Sequence, residues 1–163
     1  MGATVAVCLV GTACSGDQAE APTQQLATTG MAAIPDPQPN ASTIAEFLRN
    51  RLSTITNVVT ITEDNDPNNL IGRPNGYVDA AVVYDATTAC PDLGTDCGAT
   101  IEVWPTPDAA QQRANYIADL QRTNPILGTE YHHLRGRVLL RVAGSIKPSL
   151  DAKYSTAFHE SAI

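Results

Sequence analysis

The residues in this chain whose types and spacing could do chemistry are four cysteines, two adjacent histidines, a short acidic string and two arginines four positions apart. Cys90 and Cys97 frame Pro91-Asp92-Leu93-Gly94-Thr95-Asp96, a turn-rich hexapeptide across which a disulfide is expected. The spacing is not the C-x-x-C of a redox enzyme, and a metal centre would need two more ligands nearby, whereas His132, His133 and His159 lie far along the chain. Asp64, Asp66 and Asn68 begin like a calcium loop. However, Asn69 replaces its turn glycine and Asn75 its closing glutamate, so the string reads instead as a turn held by its own side chains. His132 and His133 are neighbours in a predicted strand; they point to opposite faces and cannot share a metal without a bulge. Gly72-Arg73-Pro74-Asn75-Gly76 lacks the Lys-Ser/Thr ending of a phosphate loop and reads as the turn into a strand. Arg73 and Tyr77 are candidate binding residues at that turn.

Arg137 and Arg141 alternate with Val138, Leu140 and Val142, which places both arginines and Leu139 on the face opposite the expected core. There they are candidates to grip a carboxylate or phosphate, or they pair across the sheet with Glu102, Glu130 or Asp79. Ser, Asp and His all occur, but not in a G-x-S-x-G or comparable nucleophile setting. No catalytic set, no metal site and no cofactor is therefore expected.

Cys14 is a different case. It ends an uncharged run, Met1 to Ala13, and a polar, proline-dotted stretch follows. Val10-Gly11-Thr12-Ala13-Cys14 resembles a lipobox, in which a small residue before the cysteine lets a signal peptidase cut once the thiol is acylated. The apolar stretch has the length of a signal-peptide core and falls short of the ~20 residues that span a bilayer. Residues 1–13 are thus expected as a signal peptide, residues 14–40 as a lipidated cysteine and tether, and residues 41–163 as one domain. A flexible tether of that length reaches on the order of 25–30 Å. The predicted address is extracytoplasmic, at the membrane.

The elements that must position these groups follow from periodicity. Thr43 and Glu46 form a capping box ahead of Ile44, Phe47, Leu48, Leu52 and Ile55, which predicts a core-facing helix. Val58–Thr62, Tyr77–Asp85 and Ala99–Trp104 read as strands, the last two as a hairpin across the disulfide loop. Thr106 caps and Pro107 starts a second helix, with Ala110, Ala114, Ile117 and Leu120 in one stripe, until Asn124-Pro125 stops it. Thr129–Leu134 and Arg137–Ala143 form a hairpin turning at Arg135-Gly136, and a last helix from Ser149 carries Leu150, Tyr154, Ala157 and Phe158 inward. This order predicts an α+β two-layer sandwich: one antiparallel sheet of about five strands covered by about three helices.

Composition narrows the partners. Seventeen acids against ten bases give a net charge of −7, a poor electrostatic match to nucleic acid or anionic lipid. The blocks D-P-N-N-L-I-G-R-P-N-G-Y (Asp66 to Tyr77), G-A-T-I-E-V-W-P-T-P-D-A-A-Q-Q-R-A-N-Y-I (Gly98 to Ile117) and G-R-V-L-L-R-V (Gly136 to Val142) together resemble small secreted lipoproteins of actinobacteria and their phages. That resemblance implies an address and transfers no catalytic residue. It also implies a function some phage-encoded membrane proteins carry, the exclusion of superinfecting phage. The expected protein is a non-enzymatic, lipid-anchored binding module of the cell envelope with an envelope or phage protein as partner. The alternatives are a structural envelope lipoprotein, or an envelope hydrolase whose site would gather acids in a cleft or set His159 beside a nucleophile.

Overall fold

The computed structural model describes Gly2 and residues 39–162, so Cys14 and nearly all of the expected signal peptide and tether lie outside the described residues. The first helix, α1 (Ala41–Arg51), is capped by Asn40, whose side-chain oxygen accepts from the Thr43 N–H at 2.8 Å. The helix therefore starts before the expected capping box at Thr43: Asn40 is an equally good cap residue, and it stands where the chain enters the domain. Ile44 and Leu48 are fully buried, as their spacing requires, and Asp79 accepts the free Ala41 N–H at 2.8 Å.

Strands β1 (Ile55–Thr60), β2 (Asp79–Asp85), β3 (Gly98–Val103), β4 (Glu130–Arg135) and β5 (Val138–Ala143) form one antiparallel sheet in the order β1-β2-β3-β5-β4. Helix α2 (Pro107–Thr123) joins β3 to β4, and α3 (Pro148–Glu160) closes the domain. The class is α+β, with the expected order of elements. β1 starts earlier than Val58, because the backbone re-enters at once after the Leu52 cap, with Ile55 opposite Asp85. Thr106 caps α2 by accepting from Ala109, and Gly136 takes the positive φ of 55° that the β4–β5 turn needs.

The helices divide between the two faces of the sheet. On one face, Ala81, Val83, Ile101, Leu140 and Val142 pack against Ile44, Leu48, Tyr154 and Phe158 of α1 and α3. On the other, Ala80, Val82 and Leu139 pack against Ala110 and Ala114 of α2, with Ile61, Tyr77 and Trp104. β2, β3 and β5 are thus covered on both sides, which makes three layers where the order of elements predicted two. Among the described residues no helix is long and apolar enough to cross a membrane.

The Cys90–Cys97 disulfide is present and bridges the loop between β2 and β3. Replacing both cysteines with serine is expected to cost about 2–2.5 kcal/mol, the chain-entropy value for so short a loop. Urea denaturation of the oxidised protein, the reduced protein and the double variant checks this; identical midpoints would show that the bridge adds nothing.

Candidate functional site

Covering the second face of the sheet has a cost, because Glu102 of β3 and Arg141 of β5 project into it. Glu102 is 0 % exposed and Arg141 is 8 % exposed. Charges removed so far from water persist only when paired and hydrogen-bonded. Arg141 provides the pairing: its Nη1 donates to Glu102 Oε1 at 2.7 Å, and its Nε and Nη2 grip Glu130 in a two-point bond at 2.8 and 2.7 Å. Trp104 Nε1 donates to the second Glu102 oxygen at 3.1 Å, and His132 Nε2 lies 3.1 Å from Glu130. Burial pushes the Glu130 carboxyl upward, but the His132 and Arg141 contacts outweigh it and bring it down to about 2. Burial likewise opposes the charge on Arg141, and the two carboxylates more than restore it, raising its pKa above the ordinary arginine value.

A second polar system adjoins the first. The loop between β1 and β2 folds around Asp66, whose carboxylate accepts the N–H groups of Asn68, Leu70 and Ile71 at 2.9, 2.6 and 2.8 Å and the Tyr77 hydroxyl. This is the turn held by its own side chains that the acidic string predicts. Asn69 and Asn75 adopt positive φ values of 52° and 65°, which asparagine tolerates better than most residues. Burial raises Asp66, and the hydrogen bonds from Tyr77 and the three backbone donors outweigh it, leaving the group below its ordinary value. Burial and the Asp66 bond together raise Tyr77 well above the usual tyrosine range.

Arg113 of α2 links the two systems. Its Nη2 donates to Asn68 Oδ1 at 3.2 Å and reaches Glu102 at 3.5 Å. Its Nε stands 3.4 Å from the other Glu102 oxygen without donating to it. Beside this side chain lies a groove of about 540 Å³, walled by Leu70 and Asn75 on the loop and by Thr106, Ala109, Gln112, Arg113 and Tyr116 on α2, with Trp104 and Pro105 between. Trp104 is set edge-on against Tyr77 at 5.7 Å, which fixes that part of the groove to the core.

The arginines and tyrosine singled out in the sequence are scattered. Arg141 is spent on the two glutamates, and Tyr77 is 2 % exposed, holding Asp66. Arg73 is exposed and donates to Asn69 at 2.9 Å, and Arg137 sits half-buried at the β4–β5 turn. Asp79 caps α1 rather than pairing with an arginine. His132 and His133 do diverge: the first meets Glu130, the second meets Asp151 of α3 at 2.7 Å on the opposite face. His159 is exposed and bonds the Ser155 carbonyl of its own helix. Among the described residues no group of three or more His, Cys, Asp or Glu could hold a metal ion. The residues that line the groove, Trp104, Gln112, Arg113 and Tyr116, were not singled out as a site. Their one sequence signal is a lone arginine in the polar stripe of α2.

Against protein families, curated proteins and solved structures, the chain has no match. The groove and its surroundings must speak for themselves. The groups around it are mostly donors and apolar surface, and its neighbouring acids, Asp66, Glu102 and Glu130, are each engaged by several partners. Its volume falls within the ~300–1,000 Å³ usual for ligand sites.

Proposed function

We propose that this chain is a lipid-anchored binding protein of the extracytoplasmic envelope, acting by recognition rather than catalysis, with exclusion of superinfecting phage as its sharpest form. The observation that carries the reading is the groove beside Arg113, in which apolar walls carry a few fixed polar groups. The disulfide supports the address, because such bonds persist in oxidising compartments. The lipobox-like run ending at Cys14 supports the anchor. Tethering to a fluid membrane raises the effective concentration toward other membrane-proximal proteins, so a groove of modest affinity suffices.

The test uses the full chain expressed in an actinobacterial host. The intact mass is expected to begin at Cys14 with added acyl chains, and a Cys14→Ser strain should lose protection against a challenge phage while the domain stays folded. Ala109→Trp, which fills the groove without changing any charge, should abolish protection with the mass and lipid unchanged. An unlipidated product, or resistance that survives both substitutions, would overturn the proposal.

A further inference from the structure

We propose that the groove takes a peptide chain by its free C-terminal carboxylate, with Arg113 holding the carboxylate and the adjoining walls taking an apolar last side chain. This rests on the reading of the groove as a recognition site and names the chemistry of its partner.

The charge of the lining argues for an anion. The chain carries 17 acids and a net charge of −7, yet no acid lines the groove and Arg113 is its one charged residue. That arginine has capacity to spare. The Glu102 oxygens are already taken by Arg141 at 2.7 Å and Trp104 at 3.1 Å, so Arg113 comes only to 3.4–3.5 Å. Among the described residues its Nε is the one buried side-chain nitrogen or oxygen with no hydrogen-bond partner. Arginine's planar fork matches a carboxylate better than any other side chain does.

The remaining lining argues for a peptide end. Gln112, Asn75 and the exposed Tyr116 offer donors and acceptors suited to backbone amides, while Leu70, Trp104, Pro105 and Ala109 form an apolar wall of a size for one or two side chains. The groove runs along one side of α2, where Ala109, Gln112, Arg113 and Tyr116 share a helical face. Capture of a C-terminal carboxylate is an established mode of peptide recognition.

The chain contains a single tryptophan, Trp104, so its fluorescence reports on the groove alone. Full-chain protein is titrated with pentapeptides ending in Leu, Ile, Val, Phe or Ala, each prepared with a free C-terminal carboxylate and as the C-terminal amide. The free acids are expected to change Trp104 emission and to bind at least tenfold more tightly than the amides, the advantage shrinking in high salt. Arg113→Met should reduce the acids to the level of the amides, and Arg113→Lys should keep part of the preference. The acid-against-amide comparison on the unaltered chain needs no variant, so it stands if Arg113→Met fails to fold. Equal binding of acid and amide, silence of Trp104 toward both, or a preference that survives Arg113→Met would overturn the proposal. If Ala109→Trp still abolishes protection in any of those cases, the groove is a recognition site for another chemistry, and only the carboxylate assignment falls.

Discussion

Replacing Arg141 with methionine will destabilise the domain by about 3–5 kcal/mol, the cost of breaking a buried ion pair from one side. Methionine fills much of the same volume, so the loss is electrostatic. Glu102, fully buried, keeps only Trp104 and the distant Arg113, and Glu130 keeps only His132. The loss carries a pH signature. In the native protein Glu130 is held near 2, below its unfolded value, so its contribution is fully present above the ordinary carboxylate range and is lost as pH falls toward 2. Without Arg141 the burial of Glu130 is no longer offset to the same extent. Protonation then relieves the variant, and the gap between the two proteins narrows from pH 7 to pH 3. Urea denaturation at both values checks this. A triple variant, Glu102→Gln, Glu130→Gln and Arg141→Met, should recover part of the deficit, because neither carboxylate is left charged and only the largely buried Arg113 loses its carboxylate partner. A deficit below about 1 kcal/mol, or one that is the same at both pH values, would show that the network behaves as an exposed surface pair.

The pairing of Arg141 with Glu102 or Glu130 is legible in the sequence; the burial of that network is not, and the reason is which face is called the outside. Thr100 and Glu102 in β3, and Leu139 and Arg141 in β5, alternate with apolar residues as a half-exposed strand should. Nothing local distinguishes a polar residue facing water from one facing a second helix. The warning lay in β2, where Ala80 to Val83 is an unbroken apolar run and all four residues are fully buried, as expected of a strand covered on both faces. Local chemistry was far more legible. Thr106-Pro107 and Asn124-Pro125 bracket α2 with a cap, a pre-set first residue and a stop. The Asp66 turn was readable because its donors lie two, four, five and eleven residues away in the same loop. Arg113 was not, because its partners Asn68 and Glu102 come from the loop and the sheet, brought together only by the docking of α2.

Asp66→Ala will cost about 3 kcal/mol and remove one wall of the groove, although Asp66 does not line it. Its carboxylate accepts four hydrogen bonds; each bond to a charged group is worth ~1.5–3 kcal/mol, and water recovers part of that sum on a half-exposed loop. Those bonds hold Leu70, on the groove wall, and Asn68, which positions the Arg113 guanidinium. The variant should therefore expose Trp104, shifting its emission to the red, and weaken peptide-acid binding at least tenfold. Asp66→Asn, with one acceptor oxygen, should fall between the two proteins. Because hydrogen bonding holds Asp66 below its ordinary pKa, its contribution is present above the unfolded value of about 3.9 and is lost as pH falls through the lower, folded one. Calcium should leave the native melting temperature unchanged, since both Asp66 oxygens are already committed and a cation would have to break the turn to reach them. A calcium-dependent rise in melting temperature, or a Trp104 spectrum unmoved by Asp66→Ala, would mean that the loop is organised by something other than this carboxylate.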